Sequence, residues 1–207
     1  MTRSPLRPDE AVEDLVAAYR ADLLAAGMFA AHPVTSPARS FLTRVGVNGW
    51  DKLSTAEQCA TPLKDRRVAG WLMVTGRLRP SPDYLVLGKP YLGEIAARHH
   101  RVFHQRFITT SAELGFAPRV SRLQWSGLVK VSVLVGLSPD QITVEALSAG
   151  RAALVTAIHE HRPVGPGATH LTGALFGAHT VLFHAGVFDA PPCRQARVLR
   201  LQTTPMM

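Results

Sequence analysis

The amino-acid sequence predicts an all-α protein folded as a compact bundle of several helices. Apolar residues recur at the spacing of one helix face, as in Val12, Leu15, Val16, Tyr19 and Leu23. Helix-capping signals recur along the chain, whereas the alternation of polar and apolar residues that indicates strands is hard to find. With 207 residues, 46% of them hydrophobic, the chain can form one sizeable core or two small helical domains.

Local signals place the helices of the N-terminal part. Residues 9–27 form the first predicted helix, because acidic side chains crowd its start, where the helix dipole favours negative charge. A second helix is expected to begin with Pro37 at its first position. Ser54 and Glu57 form a predicted capping box at the start of a third helix. The apolar segment 68–75 is expected to be a short helix of the core.

Residues 77–90 break the helical pattern, because three prolines and a glycine fall within them. This connector predicts a boundary between an N-terminal helical subdomain, residues 1–79, and a second helical domain, residues 80–192. The basic residues 193–207 are expected to form a frayed tail. In the second domain, helices are expected over 91–114, 119–135 and 169–185. A helix start is expected at 138–141, and Thr143 is expected to cap a helix that runs to His161. Residues 163–168 are expected to form a loop.

The charge of the chain favours a polyanionic partner. The net charge is +8, and residues 91–130 hold six basic and two acidic side chains, a local balance of +4. Double-stranded DNA is the predicted partner, and the alternative is an Arg-rich composition with no binding role. A membrane is not expected, because no stretch offers about 18 uncharged apolar residues. The N-terminus lacks the apolar segment of a signal peptide, so a soluble, cytoplasmic protein with free thiols at Cys59 and Cys193 is expected.

The segment ARHHRVFHQRF, residues 97–107, predicts one cationic helix face. On an ideal helical wheel, Arg98, Arg101 and His104 share the polar side, while His99 and Arg106 fall inside the apolar arc. The functional interpretation is a face laid against phosphates, with histidines donating hydrogen bonds. The alternative is a solvated face with His99 in the core.

A second basic stripe begins at residue 119. Arg119, Arg122, Ser126 and Lys130 fall within an arc of about 80° on an ideal wheel, so that their side chains could follow one DNA strand. The alternative is an ordinary amphipathic helix whose wet side is basic. The predicted DNA-binding residues are therefore Arg98, Arg101, His104, Arg119, Arg122 and Lys130.

Signals for catalysis and for metal binding are weak. His100 and His104 have the i, i+4 spacing of metal ligands, but Arg101 stands where an HExxH motif has its glutamate. His159/His161 and His179/His184 are expected to lack a nearby carboxylate or thiolate cluster. No glycine-rich phosphate loop or GxSxG motif is present, so neither a metal, a cofactor nor a small-molecule substrate is inferred.

Three segments resemble a known family: WLMVTGRLRPSPDYL (71–85), PYLGEIAARHHRVFHQRF (90–107) and SPDQITVEAL (138–147). They resemble the N-terminal half of actinobacterial site-specific recombinases of the tyrosine integrase class, over roughly residues 10–192. The resemblance implies a helical core-binding domain of the SAM-like type that clamps DNA. It also implies a role in DNA recombination and integration of mobile elements, with other recombinase subunits as further partners.

The resemblance does not extend to the catalytic half of that family. His159 and Arg162 match its His-x-x-Arg spacing, yet all three tyrosines precede this motif: Tyr19, Tyr84 and Tyr91. Without a late tyrosine the covalent phosphotyrosyl intermediate cannot form, so DNA binding without strand transfer is expected, in a truncated or degenerate gene product or an accessory protein. The alternatives are a helical protein-interaction module acting through the apolar segment 131–137 and a small enzyme built from scattered histidines.

Overall fold

The computed structural model describes residues 12–25, 32–45, 47–88, 90–161 and 166–192, with the backbone alone at 32–35, 47–48 and 166–169. Every regular element in these ranges is a helix, so the all-α prediction is confirmed. The helices are α1 (Val12–Ala25), α2 (His32–Arg44), α3 (Val47–Trp50), α4 (Thr55–Ala60), α5 (Leu63–Val74), α6 (Pro82–Leu87), α7 (Leu92–His99), α8 (Arg101–Glu113), α9 (Pro118–Val135), α10 (Val144–His161) and α11 (Pro166–His184).

Helices α1, α2 and α5 pack together in the N-terminal part. Helix α2 begins at His32, so the prediction that Pro37 opens it is wrong. A proline inside a helix removes one backbone hydrogen bond, but the helix continues because Ala38, Phe41 and Leu42 are buried in the core. Burial of this apolar face outweighs the single missing bond.

The capping box at Ser54 is confirmed. Its Oγ accepts a hydrogen bond from the Glu57 backbone N–H at 3.3 Å, and a Glu57 carboxylate oxygen accepts one from the Ser54 backbone N–H at 2.8 Å. Helix α5 covers the predicted segment 68–75 but starts earlier. All of its residues from 68 to 74 are buried, which makes α5 a central helix of the N-terminal part.

The predicted connector 77–90 contains a helix, α6, and is not wholly irregular. Ser81 caps α6 by accepting a hydrogen bond from the Tyr84 N–H at 3.2 Å, and Pro82 occupies its first turn. Tyr84 and Leu85 are fully buried, and the Tyr84 ring packs edge-on against Trp50 at 5.3 Å. One continuous core therefore spans the predicted boundary between residues 1–79 and 80–192.

The single helix predicted over 91–114 is two helices, α7 and α8, separated at His100. The His100 backbone leaves the helical region, with φ −117° and ψ 45°, while its N–H still bonds to the Ala96 carbonyl at 2.8 Å. Its Nδ1 lies 3.3 Å from an Asp140 carboxylate oxygen. The break changes the rotational phase of α8 relative to α7, so one helical wheel cannot describe both helices.

Helix α9 lies at the centre of the second part and contacts α5, α7, α8, α10 and α11. Its predicted span, 119–135, is confirmed, with Pro118 in the first turn and a left-handed Gly136 (φ 73°) as its C-terminal cap. Gly127 admits α11 closely, since a Cβ there would lie 3.3 Å from the Leu175 side chain. This close approach fixes α9 against α11.

The start of α10 confirms one prediction and contradicts another. Thr143 caps the helix by accepting a hydrogen bond from the Ala146 N–H at 3.2 Å, as predicted. Residues 138–141 form a turn rather than a helix start. The Ser138 hydroxyl donates to the Gln141 side-chain oxygen at 2.8 Å, and the Gln141 N–H bonds to the Ser138 carbonyl at 3.0 Å rather than to the hydroxyl.

Several predicted segments lie partly or wholly outside the described residues. Helix α11 begins at Pro166, inside the predicted loop 163–168, and residues 162–165 lie outside the described residues. The start and stop of the first predicted helix, Cys193 and the tail 193–207 also lie outside them. No helix in the described ranges combines the length and apolar character needed to cross a membrane.

Candidate nucleic-acid interface

Helices α8 and α9 form the frame of the predicted DNA-binding face. The Trp125 ring of α9 packs against three rings of α8, those of Phe103, His104 and Phe107, with centroid distances of 6.2, 4.8 and 5.6 Å. Ser111 of α8 extends this contact through buried hydrogen bonds, 2.7 Å to the Ser121 hydroxyl and 3.0 Å to the Gln124 side-chain oxygen. Satisfied buried polar groups of this kind fix one register between two helices.

Three of the predicted arginines are exposed on this frame: Arg101, Arg119 and Arg122. None of them makes an ion pair with another described residue. We call these three side chains the arginine surface. Exposed guanidinium groups on rigid helices can reach phosphate oxygens at little cost in desolvation.

The helix phases place the arginine surface away from α11. Gln124 of α9 faces α11, because a Cβ at Gly177 of α11 would lie 2.3 Å from the Gln124 side-chain nitrogen. Around the axis of α9, Arg122 is about 160° away from Gln124. Arg106 of α8 also lies on the side of α11, since it donates a hydrogen bond to the Ala185 carbonyl just after that helix. Around the axis of α8, Arg101 is about 140° away from Arg106. Arg101 of α8 and Arg122 of α9 therefore both lie on the side of their helix that faces away from α11.

Lys130 does not belong to this surface, which corrects the predicted stripe. Its Nζ donates a hydrogen bond to the Leu85 carbonyl at 2.8 Å, and burial lowers its pKa. Ser126, placed on the stripe as well, is half-buried where α9 meets Gly93 of α7. The stripe therefore ends after Arg122, since the helices around the rest of α9 cover it.

His104 and Arg98 are also placed differently from the prediction. The His104 ring packs on Trp125, and burial lowers its pKa, which favours a neutral imidazole at neutral pH. Arg98 pairs with Glu94 one turn earlier on α7 and is only partly exposed. Neither group contributes a free positive charge next to the arginine surface.

A cleft of about 460 Å³ between α1, α2, α5 and α7 was missed in the sequence. Apolar, aromatic and basic side chains make up most of its lining. We call it the α1–α7 cleft. The lining residues that matter for its chemistry are Asp22, Lys64, Arg67, Trp71, Tyr91 and Arg98.

Ion pairs and ring contacts order the walls of the α1–α7 cleft. Asp22 on α1 accepts a hydrogen bond from the Trp71 indole N–H at 2.6 Å and lies 3.6 Å from His99 Nε2. The Arg67 guanidinium lies over the Tyr91 ring, 5.5 Å from its centroid. No residue of this cleft except Arg98 belongs to the predicted site, because the lining comes from helices far apart in sequence.

Three histidines of the described residues lie near three different aspartates and form no common centre. His99 lies near Asp22 and His100 near Asp140, while His161 Nε2 lies 3.0 Å from an Asp83 carboxylate oxygen. The expectation that His161 lacks a neighbouring carboxylate is therefore wrong. The metal-ligating atoms of Asp83, Glu160 and His161 lie within 4.8 Å of one another, but Glu160 and His161 are exposed.

The tyrosines and the thiol are poorly placed for nucleophilic chemistry. Tyr19 and Tyr84 are buried, and burial raises both pKa values, that of Tyr84 to about 12. Tyr91 is half-buried under Arg67. Burial also raises the pKa of the free Cys59 thiol, which lowers its thiolate fraction. His159 is exposed at the end of α10, and Arg162 lies outside the described residues.

The apolar segment 131–137, proposed as a protein-interaction site, is largely in the core. Val131, Ser132 and Val133 are buried, and residues 134–137 are half-buried. The exposed apolar side chains of α9 are instead Val120 and Leu123, beside the arginine surface. No protein-family description, curated protein or solved structure matches the chain.

Proposed function

We propose that the chain binds double-stranded DNA through the arginine surface. The observation that carries the proposal is the exposure of Arg101, Arg119 and Arg122, with no ion pair to a described residue, on a chain of net charge +8. Their guanidinium groups would each take one phosphate oxygen. On this proposal the resemblance to the N-terminal half of tyrosine recombinases marks a relationship, and the chain supplies DNA contact to a mobile-element system.

The electrostatics favour a binding mode governed by phosphates rather than bases. Each cation that neutralises a phosphate releases condensed counterions, so the affinity falls as salt rises. The arginines stand on two helices locked by the Trp125 and Ser111 contacts, so the frame beneath them needs little ordering on binding. A duplex seated on three such contacts gains affinity with little dependence on base sequence.

We propose no strand transfer by this chain. A phosphotyrosyl enzyme needs a tyrosine that reaches the scissile phosphate and loses its proton. Burial raises the pKa values of Tyr19 and Tyr84, and Tyr91 is half-buried beneath a guanidinium. A suicide DNA substrate should therefore give no covalent adduct with the wild-type protein. An adduct that forms with the wild type and is absent in Tyr91→Phe would contradict the proposal.

The DNA proposal is tested by duplex binding at several salt concentrations. We compare the wild type with the double variant Arg119→Ala/Arg122→Ala. Removing two cations that neutralise phosphates should flatten the slope of log affinity against log salt by about 0.9 for each cation. The matched control is Arg20→Ala/Lys52→Ala, which removes two exposed cations from the N-terminal part. This control should leave the slope close to that of the wild type.

Two outcomes would contradict the DNA proposal. An equal flattening in both double variants would show that net charge alone, and not the arginine surface, governs binding. No wild-type binding at low salt would favour the second candidate, a protein-interaction surface. That candidate is supported by Val120 and Leu123, which are 39% and 42% exposed beside the arginines. Leu123→Ser would then weaken capture of the partner protein.

A further inference from the structure

We propose that the α1–α7 cleft binds a nucleoside phosphate, with the phosphate at the Lys64 and Arg67 side chains and the base against Tyr91. None of the three residues of the arginine surface lines the cleft, so the two sites can be tested with different variants. Its volume of about 460 Å³ falls in the size range of small-ligand sites.

The phosphate end is set by two cations on α5. Lys64 and Arg67 are three residues apart, so they lie on one face of the helix, and both are exposed. Neither makes an ion pair with a described residue. A guanidinium fork and an ammonium group side by side are the donors that proteins use for phosphate.

A second arginine, Arg98 of α7, also lines the cleft and adds to its positive potential. The charges of Arg67 and Arg98 both act on the Tyr19 hydroxyl, where they partly offset the rise in its pKa caused by burial. Arg98 is paired with Glu94, so the cations available to an anion are those of α5.

The aromatic and apolar residues of the cleft indicate that part of the ligand is a planar ring. Tyr91 is partly exposed under the Arg67 guanidinium, and Leu23, Val68 and Ile95 also line the cleft. A bare phosphate would leave this apolar surface in water, whereas a base stacked on Tyr91 would cover it. Basic and aromatic side chains in alternation are typical of sites for bases and phosphates together.

Asp22 excludes a ligand that is anionic throughout. Its carboxylate is held by the Trp71 indole N–H at 2.6 Å, and 36% of its side-chain surface is exposed. An anionic group placed there would be repelled, whereas an amino group of a base would find an acceptor. The lining therefore offers cations and a carboxylate acceptor, a combination that matches a nucleotide carrying an exocyclic amino group.

The test is calorimetric titration of the full chain with adenosine monophosphate, adenosine and inorganic phosphate. The nucleotide should bind at least about tenfold more tightly than either fragment, because only it contacts the cations and the ring of Tyr91 together. Lys64→Ala/Arg67→Ala should weaken nucleotide binding about tenfold or more. Arg20→Ala/Lys52→Ala is the charge-matched control, and it and Arg119→Ala/Arg122→Ala should bind as the wild type does.

Three results would overturn this proposal: no binding of the nucleotide, equal affinity for phosphate and nucleotide, or full binding by Lys64→Ala/Arg67→Ala. A competition arm then separates two sources of the same chemistry. Displacement of adenosine monophosphate by a 5′-phosphorylated single-stranded oligonucleotide supports the proposal with a strand end as the ligand. Retention of the nucleotide supports it with a free nucleotide as the ligand.

Discussion

The N-terminal and C-terminal halves of α9 carry basic residues at the same helical spacing but place them differently. Arg119 and Arg122 are exposed, whereas the Lys130 ammonium group donates a hydrogen bond to the Leu85 carbonyl. The N-terminal half leaves its arginines in solvent, while the C-terminal half is enclosed by other helices. Helical spacing identifies a face of a helix, but the neighbouring helices decide whether that face is a surface.

The largest effect that follows from this comparison is at Lys130. Lys130→Ala should lower the free energy of unfolding by about 1–3 kcal/mol, because the Leu85 carbonyl is left without its hydrogen-bond donor in a buried place. Urea denaturation measures the decrease. DNA binding by the folded variant should keep the salt slope of the wild type. A stable Lys130→Ala variant with a flattened slope would return Lys130 to the DNA-binding surface.

The pH dependence of stability tests the enclosed position of Lys130 in a second way. Because burial lowers the pKa of folded Lys130, the unfolded chain binds more protons in the interval just below the usual lysine value of 10.5. The contribution of Lys130 to stability should therefore be a gain as pH rises through that interval. This gain offsets part of the fall caused by Cys59, Tyr19 and Tyr84, whose pKa values burial raises. Lys130→Ala should lack this gain, which denaturation across alkaline pH would show.

Tyr84, next to the Lys130 acceptor, should behave in the opposite sense. Burial raises its pKa from 10.0 to about 12, so above pH 10.0 the unfolded chain loses a proton that the folded chain keeps. Stability should fall with rising pH across this interval, and Tyr84→Phe should reduce the fall to the part that Tyr19 contributes. The Tyr84 hydroxyl has no hydrogen-bond partner among the described residues, so the substitution should cost little at neutral pH.

Much of the fold could be predicted because its signals are local. The Ser54 capping box and the Thr143 cap involve side chains and backbone groups within three residues, so sequence spacing determines them. The failures involve partners that spacing does not determine. Pro37 is tolerated inside α2 because the core holds Phe41 and Leu42, and Ser138 bonds to a side chain rather than capping a helix.

The candidate site was predicted in part for the same reason. The exposure of Arg119 and Arg122 follows from the amphipathic pattern of one helix. The contact of Arg106 with α11 agrees with its predicted place in the apolar arc, whereas His104, predicted on the polar side, packs onto Trp125. The α1–α7 cleft joins side chains from residue 19 to residue 99, so no local pattern could indicate it.

A smaller effect is expected at His104, in the contact between α8 and the middle of α9. Burial lowers the pKa of its imidazole, so below its usual value of 6.5 the unfolded chain takes up a proton before the folded one. Stability should therefore fall as pH decreases through this range. His104→Gln should reduce the fall, as measured by urea midpoints at about pH 5 and about pH 7.5. An equal fall in wild type and variant would show that other groups govern acid sensitivity.

The smallest effect on stability is expected where the effect on binding is largest. Arg119→Ala/Arg122→Ala removes two exposed side chains that make no ion pair with a described residue, so each substitution should change the free energy of unfolding by no more than about 0.5 kcal/mol. The same variant should flatten the salt slope of duplex binding by about 0.9 for each arginine removed. Lys130→Ala is the reciprocal variant, with lowered stability and an unchanged slope. Two results would contradict the division of α9 into an exposed basic half and an enclosed half: loss of stability in both variants, or a flattened slope in both. Either result requires the two halves of α9 to share one environment.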